Sequence, residues 1–164
     1  DTTHLGACLE HLRTLRTAGF TAQELGLPIK VEPGIGEMRS TEFFPDGDAV
    51  LPAAEERRDL IPWIDPTYAG HVTPVYPETG EAENTTMDRI RRTFDLLLAR
   101  YPGNLMMVSH YAICNGGCQY FTGALVDGYI DNCTFCKYVQ QPDTTWRMTV
   151  KVEYAHLFEP LTLK

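Results

Sequence analysis

Two short apolar segments are predicted to form buried strands. Residues 105–108, Leu-Met-Met-Val, are four consecutive apolar residues, a pattern typical of a strand in a parallel sheet. Residues 29–32, Ile-Lys-Val-Glu, alternate between apolar and polar positions and predict a second, shorter strand. Pro33 and Gly34 end that strand. The pattern therefore indicates the beginnings of an α/β sheet.

Three other segments are predicted to be helices, the first two because apolar residues recur at three- and four-residue spacing and the third because its residues are small and compatible with a helix. The first covers residues 5–25 and ends at Gly26, a residue that commonly terminates helices. The second follows Thr85 and reaches about residue 101, and the third covers residues 111–122. Together with the strands, these helices favour an alternating α/β architecture.

The rest of the pattern completes the predicted topology. Residues 129–140 and 144–154 are rich in β-branched and aromatic residues and predict a hairpin. Residues 40–84 are rich in proline, with one helical patch around 53–60, and are interpreted as a long lid or binding insertion. We predict a single domain over residues 1–164, a three-layer α/β/α fold with a mainly parallel sheet.

Composition and charge limit the function classes. The formal net charge of −8 argues against nucleic acid or an anionic membrane as a bulk partner. The arginines at 89, 91 and 92 are accordingly expected on a solvated helix face. No apolar run approaches the roughly 20 residues of a membrane span. The odd count of five cysteines and the absence of a signal peptide predict a reducing, cytoplasmic location.

The cysteine spacing leaves one alternative, a zinc-binding module. Cys114 and Cys118 form one pair and Cys133 and Cys136 another, and four thiolates can hold zinc. The first spacing equally fits one face of a helix. The second pair lies in a stretch with strand character, where its side chains would point to opposite faces. We therefore expect no metal and no cofactor.

Candidate chemistry lies where the 105–108 strand ends. Ser109 and His110 follow it directly, at the position where open α/β sheets bind ligands and where a helix start favours phosphate. The alternative is a structural histidine, and the four-residue strand alone does not decide between them. Glu37 lies in a loop after the other strand, where a glutamate is either a general acid or simply a solvated charge.

Several segments together resemble one known family. Residues 13–18, Arg-Thr-Leu-Arg-Thr-Ala, resemble the Arg-x-x-x-Thr-Ala helix of the histidine phosphatases, the phosphoglycerate mutase-like superfamily. Residues 31–37 resemble the family segment that carries a proton-donor glutamate, and residues 100–110 resemble the strand that delivers the second catalytic histidine. Within the superfamily, residues 31–34 and 64–68 look most like the branch of suppressor-of-T-cell-receptor-signalling and ecdysteroid-phosphate phosphatases.

This resemblance implies a phosphomonoester hydrolase that works through a phosphohistidine intermediate. It implies that Arg13 clamps the phosphate, that Glu37 donates the proton and that His110 is the second phosphate-binding histidine. Tyr111 is expected to add a phosphate contact. The implied ligand is a phosphorylated small molecule or a phosphoprotein.

One departure from the family concerns the nucleophile. The family's nucleophile lies in an Arg-His-Gly motif on the first strand of the sheet, and the chain contains no Arg-His-Gly. The resemblance therefore implies a domain that lacks this strand beside residues 105–108, leaving an open edge and a possible homo-oligomer. We expect this chain to be inactive as it stands. The alternative function is a catalytically dead, phosphatase-like binding or regulatory protein.

Overall fold

The computed structural model describes residues 2–7, 11–42, 54–73, 80–126 and 130–153. In chain order the elements are β1 (Thr3–Ala7), α1 (Leu12–Leu25), β2 (Ile29–Val31), a 3-10 turn (Pro33–Ile35), α2 (Ala54–Leu60), α3 (Glu83–Arg100), β3 (Asn104–Val108), α4 (Tyr111–Thr122), β4 (Phe135–Gln140) and β5 (Trp146–Glu153). No described helix is long and apolar enough to cross a membrane.

The first compact unit, residues 1–113, holds a parallel sheet. Its strand order is β2-β1-β3, and both neighbours run parallel to β1. Leu5 in the central strand pairs with Ile29 on one side and with Met106 on the other. The predicted α/β class with a parallel sheet is confirmed. The single-domain organisation stays a prediction.

The start of the chain differs from its prediction. The helix predicted over residues 5–25 is wrong in its first part, because Thr3–Ala7 is the central strand and α1 begins only at Leu12. The spacing of Leu5 and Leu12 fits a helical stripe, but Leu5 is fully buried between the two outer strands. Tertiary pairing therefore overrides the local pattern. The stop at Gly26 is correct, since this residue adopts the left-handed conformation, with φ at 64°.

Helix α1 packs on the sheet and forms the main core. Its buried face supplies Leu15, Ala18 and Ala22, which lie in one cluster with Leu5 and Ile29. The small alanines allow the helix to approach the strands closely. This packing fixes the start of α1 beside the carboxyl ends of β1 and β3.

Strand β3 has a different environment on its two edges. It pairs with β1 along its whole length, and within the described part of the chain it pairs with no other strand. Its four apolar residues are only half-buried, whereas Leu5 in β1 is fully buried. The run of four apolar residues thus predicted the strand correctly but overstated its burial.

The described part of the 40–84 insertion is anchored to the sheet. Ile64 forms a parallel bridge with Ile29, and α2 confirms the predicted helical patch. The Glu32 carboxylate, buried at the end of β2, accepts hydrogen bonds from the hydroxyl of Tyr68 and from the backbone N–H groups of His71 and Val72. Tyr68, His71 and Val72 of the insertion are therefore tied to the residue that follows β2.

The second compact unit, residues 114–164, contains the predicted hairpin. Strands β4 and β5 are antiparallel, with Gln140 opposite Trp146. Phe121, near the end of α4, stacks on Tyr138 at 4.5 Å between ring centroids and meets Trp146 edge-on at 4.8 Å. Aromatic packing therefore holds the hairpin against the end of α4. The outer ends of the predicted hairpin, 129 and 154, lie outside the described residues.

Candidate active site

His110 stands at the carboxyl end of β3, directly before α4. Its side chain is 2% exposed. The preceding Ser109 donates a hydrogen bond of 2.6 Å from Oγ to the carbonyl oxygen of Ile35. This bond ties the end of β3 to the 3-10 turn that follows β2, so the loops after two different strands meet here.

Arg13 reaches the same point from the first turn of α1. Its Nη2 lies 3.1 Å from His110 Nδ1. Because β1 and β3 are parallel neighbours, the helix that follows β1 starts beside the end of β3. Arg13 is exposed, so its guanidinium is open to a ligand from solvent.

Glu37 is the third residue of the cluster. Its Oε2 lies 3.3 Å from His110 Nδ1, and its side chain is 17% exposed. Glu37 is therefore not the freely solvated glutamate that the sequence left open as an alternative. Its Oε1 accepts a hydrogen bond from the backbone N–H of Met38, which orients the carboxylate.

Arg89 holds the loop that carries Glu37, and its predicted solvated position is wrong. Its Nε and Nη2 bind the two carboxylate oxygens of Glu81 at 2.8 and 2.7 Å. Its Nη1 donates to the carbonyl oxygens of Gly34 and Gly36, both at 2.9 Å, and its Nη2 donates to that of Glu37 at 3.2 Å. All five N–H groups of the guanidinium are thus used. Arg91 and Arg92 are exposed, as predicted.

The loop also depends on close packing at Gly34. An added Cβ at this position would overlap the side chains of Thr93 and Val72. Gly34 therefore allows the loop to lie directly against α3. This approach brings the carbonyl groups of the loop within reach of Arg89.

Arg13 and Glu37 both contact Nδ1 of His110, and the two contacts correspond to different proton positions. The guanidinium can only donate, so Nδ1 accepts from Arg13 when the imidazole proton is on Nε2, whereas a carboxylate oxygen accepts from Nδ1 when the proton is on Nδ1. Burial, the neighbouring His11 and the positive charge of Arg13 lower the pKa of His110 from 6.5 to about 3. A neutral imidazole with an Nε2–H group is suited to donate a hydrogen bond to an anion.

This pKa shift predicts how stability depends on pH. The unfolded chain binds a proton at His110 near pH 6.5, and the folded chain only near pH 3. Between these values the unfolded state holds more protons, so the free energy of unfolding should rise with pH and fall on acidification. Urea unfolding from pH 3.5 to 7 should show this slope, and His110→Gln should flatten it. An equal slope in both proteins would contradict the assignment.

His11 also belongs to this cluster, although its position two residues before Arg13 was the only indication of this in the sequence. Its ring meets the His110 ring edge-on, with the centroids 4.7 Å apart. His11 occupies the N-cap position of α1, and its carbonyl oxygen accepts bonds from the backbone N–H and the hydroxyl of Thr14. The cluster therefore holds two imidazoles.

The structure brings three of the four predicted site residues into direct contact. Arg13 and Glu37 both meet His110, while Tyr111 begins α4 beside His110 with a side chain that is 48% exposed. Within the described ranges, no group of three or more His, Cys, Asp or Glu side chains could hold a metal ion. A guanidinium, two imidazoles and a carboxyl group form a set that can bind an oxyanion and transfer a proton to or from it.

Comparisons with known proteins found one matching family and similar solved structures. The model of the histidine phosphatase superfamily (branch 1) matches residues 10–151, and no curated protein sequence matches significantly. Bacillus stearothermophilus YhfR is similar in structure, with a TM-score of 0.65 and 17% identity over 94% of this chain and 76% of that protein. The ecdysone phosphate phosphatase from Bombix mori, solved in complex with tungstate, has a TM-score of 0.63 and 18% identity, covering 90% of this chain and 61% of its own.

Proposed function

Because the chain belongs to the histidine phosphatase superfamily (branch 1), we propose that the Arg13–His110–Glu37 cluster is the phosphate-binding and proton-donating part of a phosphomonoester hydrolase site. The observation that carries this proposal is the meeting of Arg13 and Glu37 at one neutral, buried imidazole. The three residues come from three separate loops or helix starts. A purely structural histidine has no need of both a guanidinium and a carboxyl group at the same nitrogen.

In this proposal each residue has one role toward the phosphoryl group. Arg13 and the Nε2–H of His110 stabilise the negative charge on the phosphoryl oxygens. The carboxyl group of Glu37 protonates the leaving oxygen. Tyr111, at the start of α4, adds a contact to the phosphate. These roles bind the phosphoryl group and protonate the leaving oxygen, and the group that attacks phosphorus is not one of these residues.

The substrate in this proposal is a phosphorylated small molecule or a phosphoprotein. The name of the ecdysone phosphate phosphatase supports including a steroid phosphate among the candidate small molecules. The net charge of −8 favours a ligand recognised by a local cation such as Arg13 over a polyanion. The odd cysteine count supports a cytoplasmic location as part of the proposal.

One observation favours a second candidate, a phosphatase-like protein that binds phosphate without turnover. The sequence contains no Arg-His-Gly, the motif of the family's nucleophile. A clamp and an acid without a nucleophile cannot provide the very large acceleration that phosphomonoester hydrolysis requires. Release of para-nitrophenol from para-nitrophenyl phosphate separates the two candidates, since only the hydrolase produces it.

Phosphate binding itself is tested by thermal unfolding. Inorganic phosphate at about a hundredfold excess over its Kd should stabilise the folded protein by about 2.7 kcal/mol and raise the Tm. The double variant Arg13→Ala, His110→Ala should lose this shift. Arg16→Ala, an exposed arginine one turn further along α1, should keep it and serves as the control. An unchanged shift in the double variant would place the anion elsewhere.

A further inference from the structure

One cysteine from each of the two pairs considered for zinc in the sequence lies inside the second compact unit. Cys118 lies on α4 and is 4% exposed, and Cys136 lies on β4 and is half-buried. Cys133, which pairs with Cys136 in the sequence, is exposed and precedes the start of β4. Within the described residues these thiols belong to no group of three or more side chains that could hold a metal ion.

The two thiols meet at the hydroxyl of Tyr138. Cys118 lies one helical turn before Phe121, whose ring stacks on that of Tyr138 at 4.5 Å. Cys136 lies two residues before Tyr138 on the half-buried side of β4, which faces away from solvent. Burial, followed by the neighbouring thiols of Cys136 and Cys118, raises the pKa of Tyr138. The packing of α4 on the hairpin therefore brings both sulfurs beside one oxygen.

The hydroxyl of Tyr138 is a buried donor without a hydrogen bond. Its oxygen is inaccessible to solvent, and within the described residues no group forms a hydrogen bond with it. A buried polar group left in this way costs free energy and is found where a site has a redox or catalytic role. Because the raised pKa keeps the proton on the oxygen, the hydroxyl can donate to a neighbouring sulfur that loses its own proton.

We propose that Cys118 and Cys136 form a redox-sensitive thiol pair that closes to a disulfide when a hydroperoxide reaches the protein, with the Tyr138 hydroxyl donating to the reacting sulfur. Cys136 reacts first because it is the more accessible of the two. Its thiolate attacks an oxygen of hydrogen peroxide and the O–O bond breaks. Cys136 becomes a sulfenic acid, and the departing hydroxide takes up the proton that the thiol lost.

The second step uses the buried cysteine. The thiolate of Cys118 attacks the sulfenic sulfur of Cys136, an S–S bond forms and the S–O bond breaks. The hydroxide that leaves takes up the proton of Cys118, so both peroxide oxygens end as water and both sulfurs are oxidised. In a reducing compartment, as proposed above, such disulfides are transient and redox-sensing, so thiol reductants reopen the pair.

The experiment treats the full chain with hydrogen peroxide, alkylates the remaining thiols and locates disulfide-linked peptides by mass spectrometry. Chymotrypsin is the suitable protease, because cleavage after Tyr120 and Phe135 separates Cys118, Cys133 and Cys136 into three peptides. In the wild type the peptide that carries Cys118 should be linked to the one that carries Cys136. Dithiothreitol should release both peptides.

Four variants assign the link to its two cysteines. Cys118→Ala and Cys136→Ala should each lose it, and alanine is small enough to fit both positions. Cys133→Ser, at the exposed cysteine of the same sequence pair, should keep the link. Cys114→Ala should also keep it, which distinguishes the two cysteines that share one chymotryptic peptide.

Tyr138→Phe tests the role of the hydroxyl. It keeps the ring that stacks on Phe121 and removes only the buried oxygen. A hydrogen bond to a charged group is worth enough that its loss should slow formation of the link by on the order of tenfold. The Tm of the reduced variant should not fall, because the lost hydroxyl has no hydrogen bond within the described residues.

The wild type decides the inference even if a variant folds poorly. Peroxide-treated wild type without a link between Cys118 and Cys136 would overturn it, and so would a link from either residue to another cysteine. An unchanged rate in Tyr138→Phe would overturn the role of the hydroxyl. None of these residues belongs to the Arg13–His110–Glu37 cluster, so each of these results leaves the proposed phosphate site to its own test.

Discussion

The Arg89→Met variant is expected to lose about 3–5 kcal/mol of the free energy of unfolding, because it breaks a buried ion pair. Glu81 is 7% exposed and would remain as a buried charge whose main partner is gone. The carbonyl groups of Gly34, Gly36 and Glu37 would lose their donors at the same time. Since a domain is stable by only about 5–15 kcal/mol, urea unfolding should show a large shift of the midpoint.

Arg92→Met is the matched control for this prediction. Arg92 lies on the exposed face of the same helix, so its replacement should change stability by less than about 0.5 kcal/mol. The double variant Arg89→Met, Glu81→Met should recover part of the loss, because no buried charge is left without its partner. Equal losses in Arg89→Met and Arg92→Met would show that the buried pair does not support the loop.

The Glu32→Ala variant is expected to lose about 3–5 kcal/mol of the free energy of unfolding, as much as Arg89→Met. Its carboxylate is 1% exposed and accepts four hydrogen bonds. The donors are the N–H groups of Gly34, His71 and Val72 and the hydroxyl of Tyr68, at 2.7–3.1 Å. Each buried donor left without an acceptor costs roughly 1–3 kcal/mol, and water entering the space would offset part of the sum.

Glu24→Ala, an exposed glutamate in α1, controls for the loss of one negative charge and should change stability by less than about 0.5 kcal/mol. Urea unfolding of the two variants at neutral pH gives the comparison. A loss below about 1 kcal/mol in Glu32→Ala would mean that the four donors find other acceptors and that the insertion is not anchored by this carboxylate.

Both predictions concern the support of one short loop. Arg89 binds three of its carbonyl groups, Glu32 binds the N–H group of Gly34, and Ser109 binds the carbonyl group of Ile35. The loop places Glu37 at His110. A general acid must be held within hydrogen-bond reach of the atom it protonates, so this buried polar framework is what would make Glu37 effective.

The sequence alone was sufficient for much of the fold. A run of four apolar residues indicated β3, and the helix-compatible residues that follow it indicated α4 with both of its ends correct. Gly26 ended α1 where predicted. These features depend on residues close together in the chain, so hydrophobic periodicity and backbone preference were enough to locate them.

Predictions from the local sequence pattern were wrong where contacts with distant parts of the chain determine the structure around a residue. The spacing of Leu5 satisfied a helix, but pairing with two strands that come later in the chain made it a strand. Arg89 lies in a helix rich in arginine, and nothing near it in the sequence indicates that Glu81 and a loop more than 50 residues earlier take up its donors. Burial of a charge is decided by its partners in space.

The candidate site depends both on features visible in the sequence and on the tertiary structure. The position of His110 after a buried strand, and the resemblance of the segments around Arg13 and Glu37 to one family, identified these three residues from the sequence by itself. Only the tertiary structure decided that they meet at one imidazole nitrogen and that His11 stands beside them. The physical reason is that parallel strands carry residues far apart in the chain to the same edge of the sheet, and no local preference encodes that distance.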